Sequence, residues 1–133
     1  MDSLVALSYA KCRELLGGGI VGRVGFCTPR GPRIFPVNYS VIRESVVFRT
    51  TDDGEVANHE WGAPMVFEVD HVDYSDHRGW SVVATGIGVR VEDPVELATI
   101  MRKWDPSPWA GGSREFYVRL VWEELTGRRL GTG

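Results

Sequence analysis

From Val66 to Val91 the chain reads VFEVDHVDYSDHRGWSVVATGIGVRV, two β-type runs separated by a charged turn. Alternation of apolar and polar residues with period two, in runs rich in Val, Ile, Phe and Thr, specifies strands rather than helices. Pro64–Asp70 places Met65, Phe67 and Val69 on one face, which is read as buried, and Glu68 and Asp70 on the other. Trp80–Val91, the longest run, sets Val83, Ile87, Val89 and Val91 against Gly86 and Gly88. Two bare positions on one side of a strand imply a bend, or the close approach of another backbone or of a flat ligand.

The same pattern recurs upstream. Ile20–Thr28 reads as a strand, Pro29-Arg30-Gly31-Pro32 as a tight turn, and Arg33–Val41 as a strand with Phe35, Val37, Tyr39 and Val41 facing the core. A short link at Arg43-Glu44-Ser45 leads into Val46–Thr51, and Asp52-Asp53-Gly54 makes a polar turn before a short helical piece ending near Glu60. The last strand is expected from Glu115 to Trp122. Two helices frame this β material. Ser8 is an N-cap for a helix to about Leu16, closed by Gly17-Gly18-Gly19. Asp93-Pro94-Val95-Glu96 starts another that runs to about Lys103 and buries Leu97, Ile100 and Met101. About six strands at short spacing, with two or three short helices, predict a mainly β protein, a six-stranded antiparallel barrel forming one domain over 1–133.

Several function classes are excluded or disfavoured by composition. Fifteen basic against eighteen acidic residues give a formal charge of −3, which offers no general attraction to nucleic acid. No apolar run approaches the roughly 20 residues a membrane span needs, and the start does not read as a signal peptide, so a cytoplasmic protein is expected. Cys12 and Cys27 form no CxxC pair and are read as reduced, mostly buried thiols. The segment Asp70–His77 carries three Asp and two His but lacks metal-ligand spacing, so no metal is expected there. Five Trp are scattered rather than periodic and are read mainly as core or interface.

Chemistry-bearing residue types gather in the hairpin of Arg33–Val41 and Val46–Thr51. Arg33, Arg49, Thr50 and Thr51 are of the kind that hold a phosphate, and Asn38 points away from Phe35 and Tyr39, where it can meet a ligand. Pro36 cannot donate to a ladder. The plainer alternative is a barrel-surface arginine and two threonines that simply suit a strand.

The segments RIFPVNYSV, VVFRTT, VFEVD and GWSVVATG resemble the pyridoxamine-5'-phosphate-oxidase-like flavin-binding split barrels, and the resemblance covers nearly the whole chain. It implies that the strand holding Arg33, Pro36, Val37, Asn38 and Tyr39 lies along a flavin ring. It further implies that Arg49, Thr50 and Thr51 meet the ribityl phosphate of FMN, and that Trp80, Ser81 and Val82 of a partner subunit close the site. A homodimeric oxidoreductase with a small-molecule substrate follows, the cofactor carrying the redox step. The residues nominate no catalytic acid or base. Two departures stand out. The turn Asp52-Asp53-Gly54-Glu55 holds three acids where this family commonly has a Lys or Arg, and the tail has Arg114, Arg119, Arg128 and Arg129 but no histidine. Oxidation of pyridoxamine phosphate itself is therefore not expected. A deazaflavin in place of FMN, or a barrel that binds flavin without catalysis or has lost it, are the alternatives.

Overall fold

The hydroxyl of Ser8 accepts a hydrogen bond from the Lys11 N–H at 3.1 Å, satisfying one of the orphan donors of a helix start. It opens α1 (Tyr9–Gly17), which lays Cys12 and Leu16 into the core. The computed structural model describes residues 4–51, 54–59, 61–103 and 115–131. Seven strands account for most of them: β1 (Leu4–Ala6), β2 (Val21–Thr28), β3 (Gly31–Ile42), β4 (Ser45–Thr51), β5 (Pro64–Asp73), β6 (Arg78–Val91) and β7 (Glu115–Leu130). One turn of 3-10 helix spans Glu55–Asn58, and α2 spans Pro94–Lys103.

Pairing is antiparallel throughout, in the order β1-β7-β4-β3-β2-β5-β6, and a further β6–β7 ladder returns the sheet on itself. Six strands thus form the expected ring. The seventh, β1, is an addition to the expected architecture: it pairs Leu4–Ala6 with Leu130–Arg128 at the far end of β7. β7 is also longer than the sequence suggests. Its first half pairs β4 and its last residues pair β1, while β6 runs along its other side.

Alternation delivers the interior. Val24, Phe48, Phe67, Val82, Val118 and Leu120 are fully buried, and Val37, Tyr39, Met65 and Val69 join them. The two glycines of β6 lie on this buried side. At Gly86 the ladder to β7 shifts register, and a Cβ there would overlap the Val121 carbonyl. The bare position therefore serves a bulge and a close backbone approach rather than a flat ligand. Outside the ring, α2 covers Val47, Val91 and Tyr117 with Ile100 and the half-buried Leu97. Two burial expectations fail. Met101 is exposed, because α2 rests on the sheet through Ile100 and Leu97; Cys27 is exposed, because the β2 alternation turns it outward. Among the described residues no helix is long and apolar enough to cross a membrane. Trp104 and Trp109, and the acidic pair Asp52-Asp53, lie outside the described residues.

Candidate functional site

Among the described residues the shortest ladders of the ring are β2–β5 and β3–β4, four pairs each, and β3 and β4 are the strands that carry the singled-out residues. Near their turn these strands pair from Ile42↔Ser45 to Tyr39↔Phe48, and among the described residues the ladder stops there. Continuing the register would set Asn38 opposite Arg49. Instead the first half of β3 follows β2, from Val21↔Asn38 to Thr28↔Gly31, and the end of β4 follows β7, through Thr51↔Glu115. The two strands therefore part at Asn38 and Arg49. Pro36, which has no N–H, sits on the parted stretch of β3.

This split gathers most of the residues that the sequence singles out. Arg33 and Asn38 are half-buried and Pro36 is exposed on one lip; Arg49 and Thr50 are half-buried and Thr51 is buried on the other. The threonine hydroxyls converge where β4 ends. A Cβ on Gly54 would lie 3.3 Å from Thr51 Oγ1 and 3.9 Å from Thr50 Oγ1, and the Gly54 N–H donates to the Thr51 carbonyl at 3.3 Å. Val37 and Tyr39 are placed differently. Their side chains are core, so only their main chain could face a ligand; the Tyr39 hydroxyl donates to the Leu16 carbonyl at the end of α1, and burial pushes its pKa up to about 12.

Trp80, Ser81 and Val82 are not brought to this lip within one chain. They lie on β6, which is separated from β3 by β2 and β5. Val82 is fully buried, and Trp80 packs partly on the core. Ser81 faces outward between Asp70 on β5 and Arg128 on β7, and with Trp80 these residues line a recess of about 240 Å³. Arg128 and Arg129 are thus strand residues with exposed side chains.

Two charged contacts escape the sequence. Arg33 Nε donates to Glu55 Oε2 at 3.2 Å, so one of the three acids of the turn already faces a cation of the lip. Beside it a recess of about 360 Å³ is lined by Thr28, Pro29, Arg30 and Glu55. On the outer face, Arg23 Nη1 lies 2.7 Å from Glu68 Oε1 and 3.4 Å from Asp70 Oδ2. Partial burial, and then the hydrogen bond and negative charge of Asp70, push the Glu68 carboxyl up to about 7 against the opposing pull of Arg23. One guanidinium cannot neutralise two carboxylates. The only hint of this triad in the sequence is the lone arginine in VGRVGF, since its partners lie 45 and 47 residues away. In the β5–β6 turn, Asp73 Oδ1 accepts from the Ser75 and Asp76 N–H groups, the usual work of a turn aspartate. Among the described residues no three His, Cys, Asp or Glu side chains cluster as metal ligands would.

The profile of the family described as Pyridoxamine 5'-phosphate oxidase matches residues 8–129. The uncharacterized protein Rv0080 of Mycobacterium tuberculosis is 31% identical over 132 aligned positions, covering 96% of this chain and 86% of that one. The FAD binding protein of Mycobacterium smegmatis is 29% identical and superposes with a TM-score of 0.79, covering 96% of this chain and 98% of its own. A Corynebacterium glutamicum structure, provisionally named a pyridoxamine 5'-phosphate oxidase, is 28% identical with a TM-score of 0.83, covering 98% of this chain and all of its own.

Proposed function

Because the chain belongs to the pyridoxamine 5'-phosphate oxidase family, whose profile spans residues 8–129, we propose that it binds a flavin nucleotide and acts as an oxidoreductase. FMN is the coenzyme of this reading, with a deazaflavin as the alternative within the fold. The observation that supports it is the end of the β3–β4 ladder at Tyr39 and Phe48, beyond which Arg33, Pro36 and Asn38 lie on β3 and Arg49 and Thr50 on β4. These residue types suit the group. Backbone and amide atoms on the β3 lip can meet the polar edge of a flavin ring, and arginine and threonine donors at the end of β4 can meet its phosphate. The bound flavin would supply the electron and hydride chemistry, while the chain's own part is to hold, orient and shield it. The flavin-binding relative at 29% identity supports the same reading.

A homodimer completes the proposal. The outer face of β3, β2, β5 and β6 exposes Ile34 at 67%, with Val21, Val66 and Val89 near 40%. Apolar side chains exposed here, on the face that also carries Arg23, Glu68 and Asp70, suit an isologous contact. A second copy would also bring Trp80 and Ser81 to a lip that their own chain cannot reach with them.

One observation favours a second reading, a barrel that no longer holds the coenzyme. Glu55 occupies Arg33 and puts a carboxylate where a phosphate with nearly two negative charges would bind. Arg33 is a five-donor fork and can still meet an anion from its other side, so this weakens phosphate binding rather than abolishing it. The test is direct. Purified protein is mixed separately with FMN, FAD and a deazaflavin, and bound chromophore is read by absorbance before and after denaturation. Arg49→Ala is expected to lower flavin occupancy markedly. Retention of none of the three by the parent protein would overturn the proposal, and unchanged occupancy in Arg49→Ala would remove Arg49 from the phosphate role.

A further inference from the structure

A recess of about 520 Å³ opens between α2 and the turn joining β3 to β4, at the opposite end of that hairpin from the parted lip. Its size falls in the range of small-molecule sites. Its floor is apolar: Ile42, Val47, Ile100 and Val121, of which Val47 and Ile100 belong to the small core under α2. Five charged side chains also line it, one of them Arg119, whose Nε is buried. Arg43, Lys103 and Arg119 oppose Glu44 and Glu96, three cations against two carboxylates, for a net charge of +1. Arg119 Nε lies 3.1 Å from Glu96 Oε1, so that pair cancels and leaves Arg43 and Lys103 against Glu44.

Arg43 adds an independent observation. Its φ is +55°, in the left-handed region that glycine or asparagine takes with much less strain. A turn that holds arginine there tolerates backbone strain and places a cationic side chain on the rim of the recess.

We infer that this recess is a second binding site, separate from the coenzyme cleft, for an amphipathic monoanion. An aliphatic or aromatic body lies on the Ile–Val floor, and a carboxylate is met by Arg43 and Lys103. The single net positive charge suits a monoanion better than a phosphate monoester, which carries nearly two negative charges.

Decanoate, decanol and acetate serve as probes on the full chain, by calorimetry and by backbone amide NMR shifts. Decanoate is expected to bind at least about tenfold more tightly than decanol or acetate, with shifts at Ile42, Val47 and Ile100. Arg43→Asn separates function from structure. Relief of the left-handed strain should leave Tm unchanged or raised, while decanoate binding weakens about tenfold. Lys103→Gln, at the exposed end of α2, is expected to weaken it similarly with no loss of fold. Equal binding of decanol, shifts confined to other surfaces, or full affinity in both variants would overturn the inference. None of these readouts requires flavin, so the result stands apart from the coenzyme reading.

Discussion

Glu68 makes the stability of this barrel depend on pH in a direction opposite to that of most paired carboxylates. Its folded pKa of about 7 lies above the ordinary 4.5. Below pH 4.5 it is protonated in both states and carries no penalty. Between 4.5 and 7 the folded chain binds the proton that the unfolded chain releases, so stability falls as pH rises. At about 1.4 kcal/mol per tenfold, the full gap corresponds to roughly 3.4 kcal/mol. The side chain is 29% exposed, and solvent screening brings the expected effect to about 1–2 kcal/mol. Glu68→Gln keeps an amide oxygen for Arg23 and cannot ionise. Urea unfolding at pH 4 and pH 8.5 should therefore give near-equal stabilities for parent and variant at the lower pH, and a variant more stable by about 1–2 kcal/mol at the higher. A difference that does not change with pH, or a variant less stable at pH 8.5, would refute the account of a part-buried carboxyl crowded by Asp70.

Other perturbations follow from geometry already described. Gly86→Ala forces a methyl into the Val121 carbonyl and should cost several kcal/mol or prevent folding, whereas Gly17→Ala, with nothing within 4 Å, should be near neutral; thermal melts of the pair check this. Tyr39→Phe removes the donor to the Leu16 carbonyl in a site only 2% exposed, and equilibrium unfolding should register a loss of about 1–2 kcal/mol. Since burial raises the Tyr39 pKa to about 12, ultraviolet titration of the folded protein should find one tyrosine still protonated near pH 11. Glu55→Gln frees Arg33 of its carboxylate and should raise FMN affinity severalfold in a fluorescence titration; unchanged affinity would place the phosphate away from Arg33.

What could be read from the sequence was whatever depends on near neighbours. Alternation put Val37 and Tyr39 inside and Glu68 and Asp70 outside, and Ser8 announced its helix through local capping chemistry. β1 was not legible, since three residues carry no period and their partner lies at the far end of the chain. The last half of β7 reads EELTGRRL, polar enough to pass for a tail, because its pairing with β6 and β1 leaves most of those side chains exposed. In the candidate site, residue types and strand faces were visible but the split was not: nothing local says that β3 and β4 part after Tyr39 and Phe48. The Arg33–Glu55 pair likewise needs a contact across 22 residues. Gly86 and Gly88 left a bend, a close backbone and a flat ligand open; the register shift at Thr85/Gly86 decides for a close backbone at Gly86, while at Gly88 a Cβ would meet the Met65 side chain.

The place of β7 in the chain has a consequence for how the protein comes to be made. Every strand it joins, β1, β4 and β6, is translated before it, so the cylinder stays an open sheet on the ribosome until that final ribbon emerges. Until then β4 and β6 present bare hydrogen-bonding edges to any neighbouring nascent chain. Closure waits on β7 meeting both β4 and β6, in pairings as distant in sequence as Ser45 with Val121, which makes for slow assembly and a window in which chaperones matter.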